Sequence, residues 1–459
     1  MSGPVLHKAE SRARKESNVS RKRARLGVAA FACLAAALAL AACGGGGSSS
    51  GGGGGSSESS GKKVEIEWWH GQNNRVAKVL DEMIDEFEES HPNIVVSKDS
   101  GGVNSDRMLQ KVTAGLQAND YPDIAYIFGS DLATLAKGEQ LANLTEATED
   151  GEIEWNNFVK PAQEAATVEG EVRAFPSLVD NLAVVYNKKI FKEEGVSPPP
   201  EEMSWEEFLK IAEEVNDPSK GIAGFAWPGT GDEDTTWRIW PLVWQKGGEV
   251  INEDGTKVGF EGEPGEAALE VVQKAAEAGT VYIDGTAGSE RMQQLFNSEK
   301  LAMNITGPWA LPEYVEAGVE YGVVLLPSFT SEHTTISGPD TWAIFDNGEE
   351  REKAAIEFMD WFAEPEQQLK WISYSGSLPL TKDVSKAKGY AKYEKSLPEL
   401  KAFIENTKNA KTRPTVSTYP VISAAIGKGI AEVLYKKADA KQALESSVSE
   451  ANQEIELEG

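Results

Sequence analysis

Cysteine is almost absent from this chain of 459 residues: Cys33 and Cys43 are the only two, so no disulfide framework can hold it together. Histidine is nearly as scarce. The four are His7, His70, His91 and His333, and no His-Glu-x-x-His, Cys/His cluster, Gly-x-Ser-x-Gly or phosphate loop accompanies them. These gaps leave no assembled nucleophile, no metal motif and no cofactor to expect. Positive charge is short as well, with 45 Lys+Arg against 73 Asp+Glu and a formal net charge of −28. Such acidity favours solubility and argues against nucleic acid as a partner. No repeat of solenoid period is present. Carboxylates are plentiful enough that a pair placed for glycoside hydrolysis, or for a lyase, stays an open alternative.

What the chain does have begins with a targeting segment. The basic run Arg21-Lys22-Arg23-Ala24-Arg25 precedes an apolar stretch from Leu26 to Ala42. Leu40-Ala41-Ala42-Cys43-Gly44 resembles the bacterial lipobox. That resemblance implies a signal peptide over 1–42, cleavage before Cys43, and lipidation of Cys43 as a membrane anchor. Losing eight Lys/Arg and two Asp/Glu with the signal would take the formal charge from −28 to −34. Gly44 to Gly61 is a Gly/Ser tether. As a flexible coil it reaches roughly 20–25 Å, enough to lift a folded body off a membrane surface.

The remaining length exceeds one hydrophobic core and points to two domains. Val64-Glu65-Ile66-Glu67-Trp68-Trp69 alternates as a strand and leads into the loop His70-Gly71-Gln72-Asn73-Asn74. Val76, Val79, Leu80, Met83, Ile84 and Phe87 then recur with helical period until Pro92 stops them. Ile94–Val96 reads as a second strand, and Ser105-Asp106 can open a second helix. A third strand, Pro122 to Phe128, ends at Gly129-Ser130-Asp131. Strand and helix in alternation predict a parallel sheet whose loops at 70–74 and 129–131 share one edge. Ser204-Trp205-Glu206-Glu207 is a capping box, with Trp205 packing. Trp237, Trp240 and Trp244 stand three and four apart on one helical face. Asp232-Glu233-Asp234 has no calcium-loop spacing and reads as a solvated acidic loop.

The stretch that organises the rest is Leu301 to Phe329, LAMNITGPWALPEYVEAGVEYGVVLLPSF. A strand (301–305) meets a turn at Thr306-Gly307, and Pro308 opens a helix, since proline suits the first helical position. Trp309 is thereby set at the C-terminal end of a strand, where open α/β sheets hold ligands. A further strand, Tyr321 to Leu326, runs into Pro327-Ser328-Phe329. This run resembles the maltose/maltodextrin-binding and related family 1 extracellular solute-binding proteins of ABC importers. The resemblance extends over nearly all of residues 62–459.

The resemblance implies an α/β, two-lobe periplasmic-binding-protein fold of type II, with discontinuous lobes joined by crossover strands. Lobe 1 would take 62–176 with about 330–376, and lobe 2 would take 180–327 with about 380–459. The chain would cross at Pro176 to Tyr186-Asn187-Lys188, again at Thr335 to Phe345, and a third time at Ser375 to Leu380. Function would be capture of a mono- or oligosaccharide between the lobes and delivery to permease subunits of an ABC transporter. The protein would act as a monomer, without enzymatic turnover. Carried over by position, the ligand residues would be Trp69, Gln72, Asn73, Gly129, Ser130, Asp131, Asp180, Asn181, Trp237, Trp240, Gly307, Trp309, Gly338, Asp340, Arg413 and Tyr419. Trp244 stays with the core. The chain departs from the maltose branch at Gln72, Asn73 and Leu132, where that branch has an acid, a lysine and an arginine. Arg413-Pro-x4-Tyr419 is closer to the sugar and glycerol-phosphate branches. With Arg238, it keeps glycerol 3-phosphate or a related polyol phosphate as an alternative ligand.

Overall fold

The computed structural model describes residues 63–72, 74–101, 107–397 and 399–458. The signal segment, Cys43, the tether, Asn73 and Ser105-Asp106 lie outside the described residues. The principal strands are β1 (Val64–Trp69), β2 (Ile94–Asp99), β3 (Ile124–Phe128), β4 (Phe175–Leu178), β5 (Ala183–Asn187) and β6 (Ala223–Pro228). They continue with β7 (Val281–Asp284), β8 (Leu301–Thr306), β9 (Tyr321–Val324), β10 (Thr335–Ser337), β11 (Asp340–Ile344) and β12 (Ala410–Thr412).

Two five-stranded sheets form, in the orders β2-β1-β3-β11-β4 and β9-β5-β8-β6-β7. Each is the floor of one lobe. In the first, β2, β1 and β3 run parallel, as the alternation of strand and helix predicts. The returning strand β11 then pairs antiparallel with both β3 and β4, so the sheet is mixed. The alternation along β1 sorts its side chains by face. Ile66 and Trp68 pack with Val79, Leu80, Met83 and Phe87 of the helix Asn74–Ser90, and with Trp342 and Phe358. Trp69 turns the other way, onto Met108 and Val112 of the helix Met108–Ala118. The capping box at the helix Trp205–Val215 is complete, and Trp205 is buried under it. The C-terminal helices Tyr419–Leu434 and Ala440–Glu458 join the core of the second lobe.

The lobes are strapped by adjacent chain segments. Between β4 and β5 the chain passes from one sheet to the other, and between β10 and β11 it returns. Thr335 Oγ1 donates to the Leu182 carbonyl at 2.7 Å, and Ser337 Oγ to the Asp180 carbonyl at 2.7 Å, so the two passages are bound side by side. A third strap comes later than the sequence suggests. Leu378 N–H donates to the Val179 carbonyl and Val159 N–H to the Leu380 carbonyl, which keeps this segment beside β4 and the first lobe. The hinge is reached instead at 403–412. There Asn181 Nδ2 donates to the Phe403 carbonyl at 2.9 Å, Asn406 Nδ2 to the Leu182 carbonyl at 3.1 Å, and β12 pairs parallel with β10.

Candidate functional site: a cleft with a tryptophan wall

A cavity of about 560 Å³ lies between the lobes, lined from both. The first lobe contributes Gln72, Tyr126, Phe128, Asp180 and Asp340; the second contributes Glu233, Asp234, Trp237, Arg238, Asn304 and Trp309. Arg413 enters from the chain just beyond β12.

One wall is aromatic. After β8, Pro308 starts a single 3-10 turn, Pro308–Ala310, before the helix Leu311–Glu316. That turn lays the Trp309 ring back over Gly307. A Cβ on Gly307 would stand 1.8 Å from the ring, so only glycine permits the arrangement. Trp309 is partly exposed, and its ring centre is 5.7 Å from that of Trp237, inclined by 34°. Trp237 is largely buried, and the two inclined indoles line the cavity with the kind of apolar surface that covers the C–H faces of a sugar ring.

The floor is ionic. Gly338 N–H donates to Asp180 Oδ1 at 3.0 Å, and Gly338 is crowded by Trp237, Arg413 and Asp180, all within 3.2 Å of where a Cβ would sit. Tyr126 donates its hydroxyl to Asp340. Arg413 Nη1 meets Glu233 Oε1 at 2.6 Å, and its Nη2 stands 3.9 Å from Asp340 Oδ1. The Arg413 guanidinium also lies over the rings of Phe128 and Trp237. Arg238 pairs with Asp234, and its Nε donates to the Ile305 carbonyl. Burial pushes the Asp180 carboxyl up to about 7. Burial, with the Asp180 charge beside it, pushes Asp340 up to about 8. Asp131, behind them, rises to about 7 through burial and the nearby Glu233.

Of the residues expected here, Gln72, Asp180, Trp237, Trp309, Gly338, Asp340 and Arg413 come together at the cavity. Others do not. Trp240 is fully buried and donates its Nε1–H to Tyr419 Oη at 3.1 Å; both stand in the layer behind the wall. Tyr419 in turn donates to Glu233, so it supports the floor without forming it. Trp69 faces the outer helix, as its position in β1 requires. Asn181 is consumed by the hinge. Gly129 and Ser130 line a separate pocket of about 270 Å³, on the far side of Pro339 and Arg413, together with Trp244. Asp131 is held in the electrostatic layer beneath, and Gly307 serves as the bed of the Trp309 ring. Asn73 lies outside the described residues.

The acidic loop at 232–234 is only partly exposed, and its carboxylates are engaged. Glu233 accepts from Arg413, Tyr419 and Ser423, and Asp234 from Arg238 and Ser289. Apart from Arg238, four residues on from Asp234, its partners are distant in sequence, so local spacing gave little sign of them. Tyr126, Glu233 and Asn304 are cavity residues that motif reasoning missed. Asn304 did carry a signal, being a polar residue inside the apolar strand β8, where a buried amide needs a purpose.

This is the architecture of a type II periplasmic binding protein: two sheet-based lobes, a strapped hinge, and a cleft between them. The family model for bacterial extracellular solute-binding proteins matches residues 82–399, and the chain belongs to that family. Among curated relatives, the sn-glycerol-3-phosphate-binding periplasmic protein UgpB of Brucella abortus is 23% identical, over 86% of this chain and 93% of its own. The Listeria monocytogenes ABC substrate-binding protein Lmo0181, solved with cycloalternan, superposes with a TM-score of 0.76 at 21% identity, covering 86% of this chain and 99% of that one. UgpB of Mycobacterium tuberculosis, solved with glycerophosphocholine, reaches 0.77 at 18% identity with the same coverage.

Proposed function

We propose that this extracellular solute-binding protein captures a carbohydrate, a mono- or oligosaccharide, between its lobes and passes it to the permease subunits of an ABC transporter. The observation that carries the reading is the Trp237–Trp309 wall facing a floor of carboxylates and amides. Indoles take the C–H faces of a pyranose while the acids accept from its hydroxyls. Relatives in this family are named for sugars and for glycerol phosphates, so the floor has to discriminate. A phosphate group needs unengaged cations. Arg238 and Arg413 are each already bound to a carboxylate, which favours the sugar.

In the mechanism we infer, the ligand bridges both lobes and is fully contacted only when they close about the straps at 179–182, 335–339 and 403–412. Binding then shifts the population toward the closed form, which the permease reads. The lobes we assign are 63–180 with about 338–402, and 182–334 with the chain beyond about 412. No covalent step enters, and a sugar recovered after hours with stoichiometric protein should be unchanged by chromatography. We further propose that Cys43 is lipidated and anchors a monomer to the outer face of the cell membrane. Cys43→Ala in the native host should release the protein or leave it uncleaved.

A thermal-shift screen of the tagless mature body against sugars and polyol phosphates tests the ligand class. A melt raised by carbohydrates supports the reading. A melt raised by glycerol 3-phosphate or its diesters and by no sugar overturns it.

A further inference from the structure

Negative charge on the cleft floor exceeds what the protein itself neutralises. Asp340 lies in the field of both Asp180 and Glu233, Asp131 in that of Glu233 and Asp340, and Arg413 is the guanidinium they share. Arg413 makes a close pair with Glu233 alone; its separation from Asp340 is 3.9 Å, beyond hydrogen-bond reach. The other arginines of the wall are engaged elsewhere, Arg238 with Asp234 and Arg75 with Glu313. Four carboxylates around one guanidinium would carry a formal −3 in a buried setting. That state requires either protons or a further cation.

Among the acceptors that line the cavity, two on side chains more than nine-tenths buried, Asp340 Oδ1 and Asn304 Oδ1, have no hydrogen-bond donor. Asp340 is 6% exposed; one of its oxygens takes the Tyr126 hydroxyl, and Oδ1 accepts no hydrogen bond. Asn304 is 2% exposed. Its Nδ2 donates to Tyr314 Oη, which donates on to Gln293 Oε1, so Asn304 Oδ1 is left over. A buried acceptor without a donor is costly, and both of these border the space a ligand would fill. Among the described residues no three acids or histidines are grouped to hold a metal ion. The missing donor is therefore sought in the ligand.

We propose that the ligand carries a positively charged amine, as an amino sugar does, and that the ammonium docks against Asp180 and Asp340 with the sugar ring on the Trp237–Trp309 wall. This rests on the carbohydrate reading and narrows it. An ammonium supplies donors and charge together, and beside indole faces it gains a cation–π attraction. A neutral sugar supplies donors only and leaves the floor to protons.

The test is titration calorimetry of the mature body at pH 7.5 with sugars paired by ring and linkage, differing in hydroxyl against ammonium. Suitable pairs are glucose and glucosamine, galactose and galactosamine, mannose and mannosamine, and cellobiose and the chitosan disaccharide. In at least one pair the amine should bind tenfold or more tighter than its hydroxyl twin. Asp340→Asn should remove most of that preference while still melting cooperatively; Asp180→Asn serves if the first variant does not fold. Neutral sugars binding as well as or better than every amine twin would overturn this proposal and leave the carbohydrate reading intact. If no amine in the set binds at millimolar concentration, the proposal falls; if no sugar binds and a glycerol phosphate does, both fall.

Discussion

Trp309 and Trp240 both sit beside a proline in short helical turns, and both were expected at the ligand, yet they occupy opposite sides of one wall. Trp309 is partly exposed, with its ring laid over Gly307 and facing the cavity. Trp240 has no exposure; Phe260 packs 5.6 Å from it and Tyr419 takes its N–H. The difference lies in what precedes each ring. Trp309 follows a strand end and a glycine, so a flat side chain can fold back at the mouth of a sheet. Trp240 begins the helix Trp240–Gln245 after the 3-10 turn Trp237–Ile239. Side chains three apart share a face only approximately. Here the first of the pair reaches the cavity and the second reaches the core.

The largest way to sharpen this contrast is Trp240→Ala. It should cost up to about 5 kcal/mol of stability, because it empties a closed site, while affinity per folded molecule changes far less. Denaturant melts of the ligand-free protein measure the first, and calorimetry the second. A cost under about 1 kcal/mol would break the distinction. Next in size is Arg413→Ala, expected to cost about 3 kcal/mol by leaving Glu233 buried and uncompensated. The loss should be greatest at high pH, where the surrounding acids ionise.

A smaller effect concerns pH alone. Asp180 and Asp340 have folded pKa values near 7 and 8, above the ordinary carboxylate range. Between pH 4 and pH 8 the folded protein therefore holds protons that the unfolded chain has released. Stability contributed by these groups is full below about pH 4 and is lost as pH rises through 7 and 8. The apo melting temperature should fall over that interval, and Asp340→Asn should flatten the fall. The smallest expected change is Ser204→Ala, about 1 kcal/mol of stability from the lost capping box, with affinity untouched.

Periodicity and turn chemistry made most of the fold legible. The stripe from Val76 to Phe87, the capping box at Ser204 and the strand–turn–helix at 301–316 are local patterns, and the structure has them. The site was only partly legible. Trp309 announced itself through its neighbours Gly307 and Pro308. Glu233 did not, because Arg413 and Tyr419 lie some 180 residues away and nothing local distinguishes a paired acid from a solvated one. Trp69 and Asn181 were misplaced for a similar reason. A strand residue's face is fixed by register, and a hinge amide's partners at 403–406 are remote.

We take Trp309 to be a platform for the ligand whose ring does little for the fold. The most direct test is Trp309→Ala, with calorimetric affinity for a sugar that raises the melt and the ligand-free denaturant melt measured on the same preparation. A central aromatic contact commonly contributes ~2 kcal/mol or more, so affinity should fall about thirtyfold or further while the apo melt stays nearly unchanged. An apo protein destabilised by ~3–5 kcal/mol, with affinity per folded molecule intact, would show that Trp309 is packing and would contradict the account.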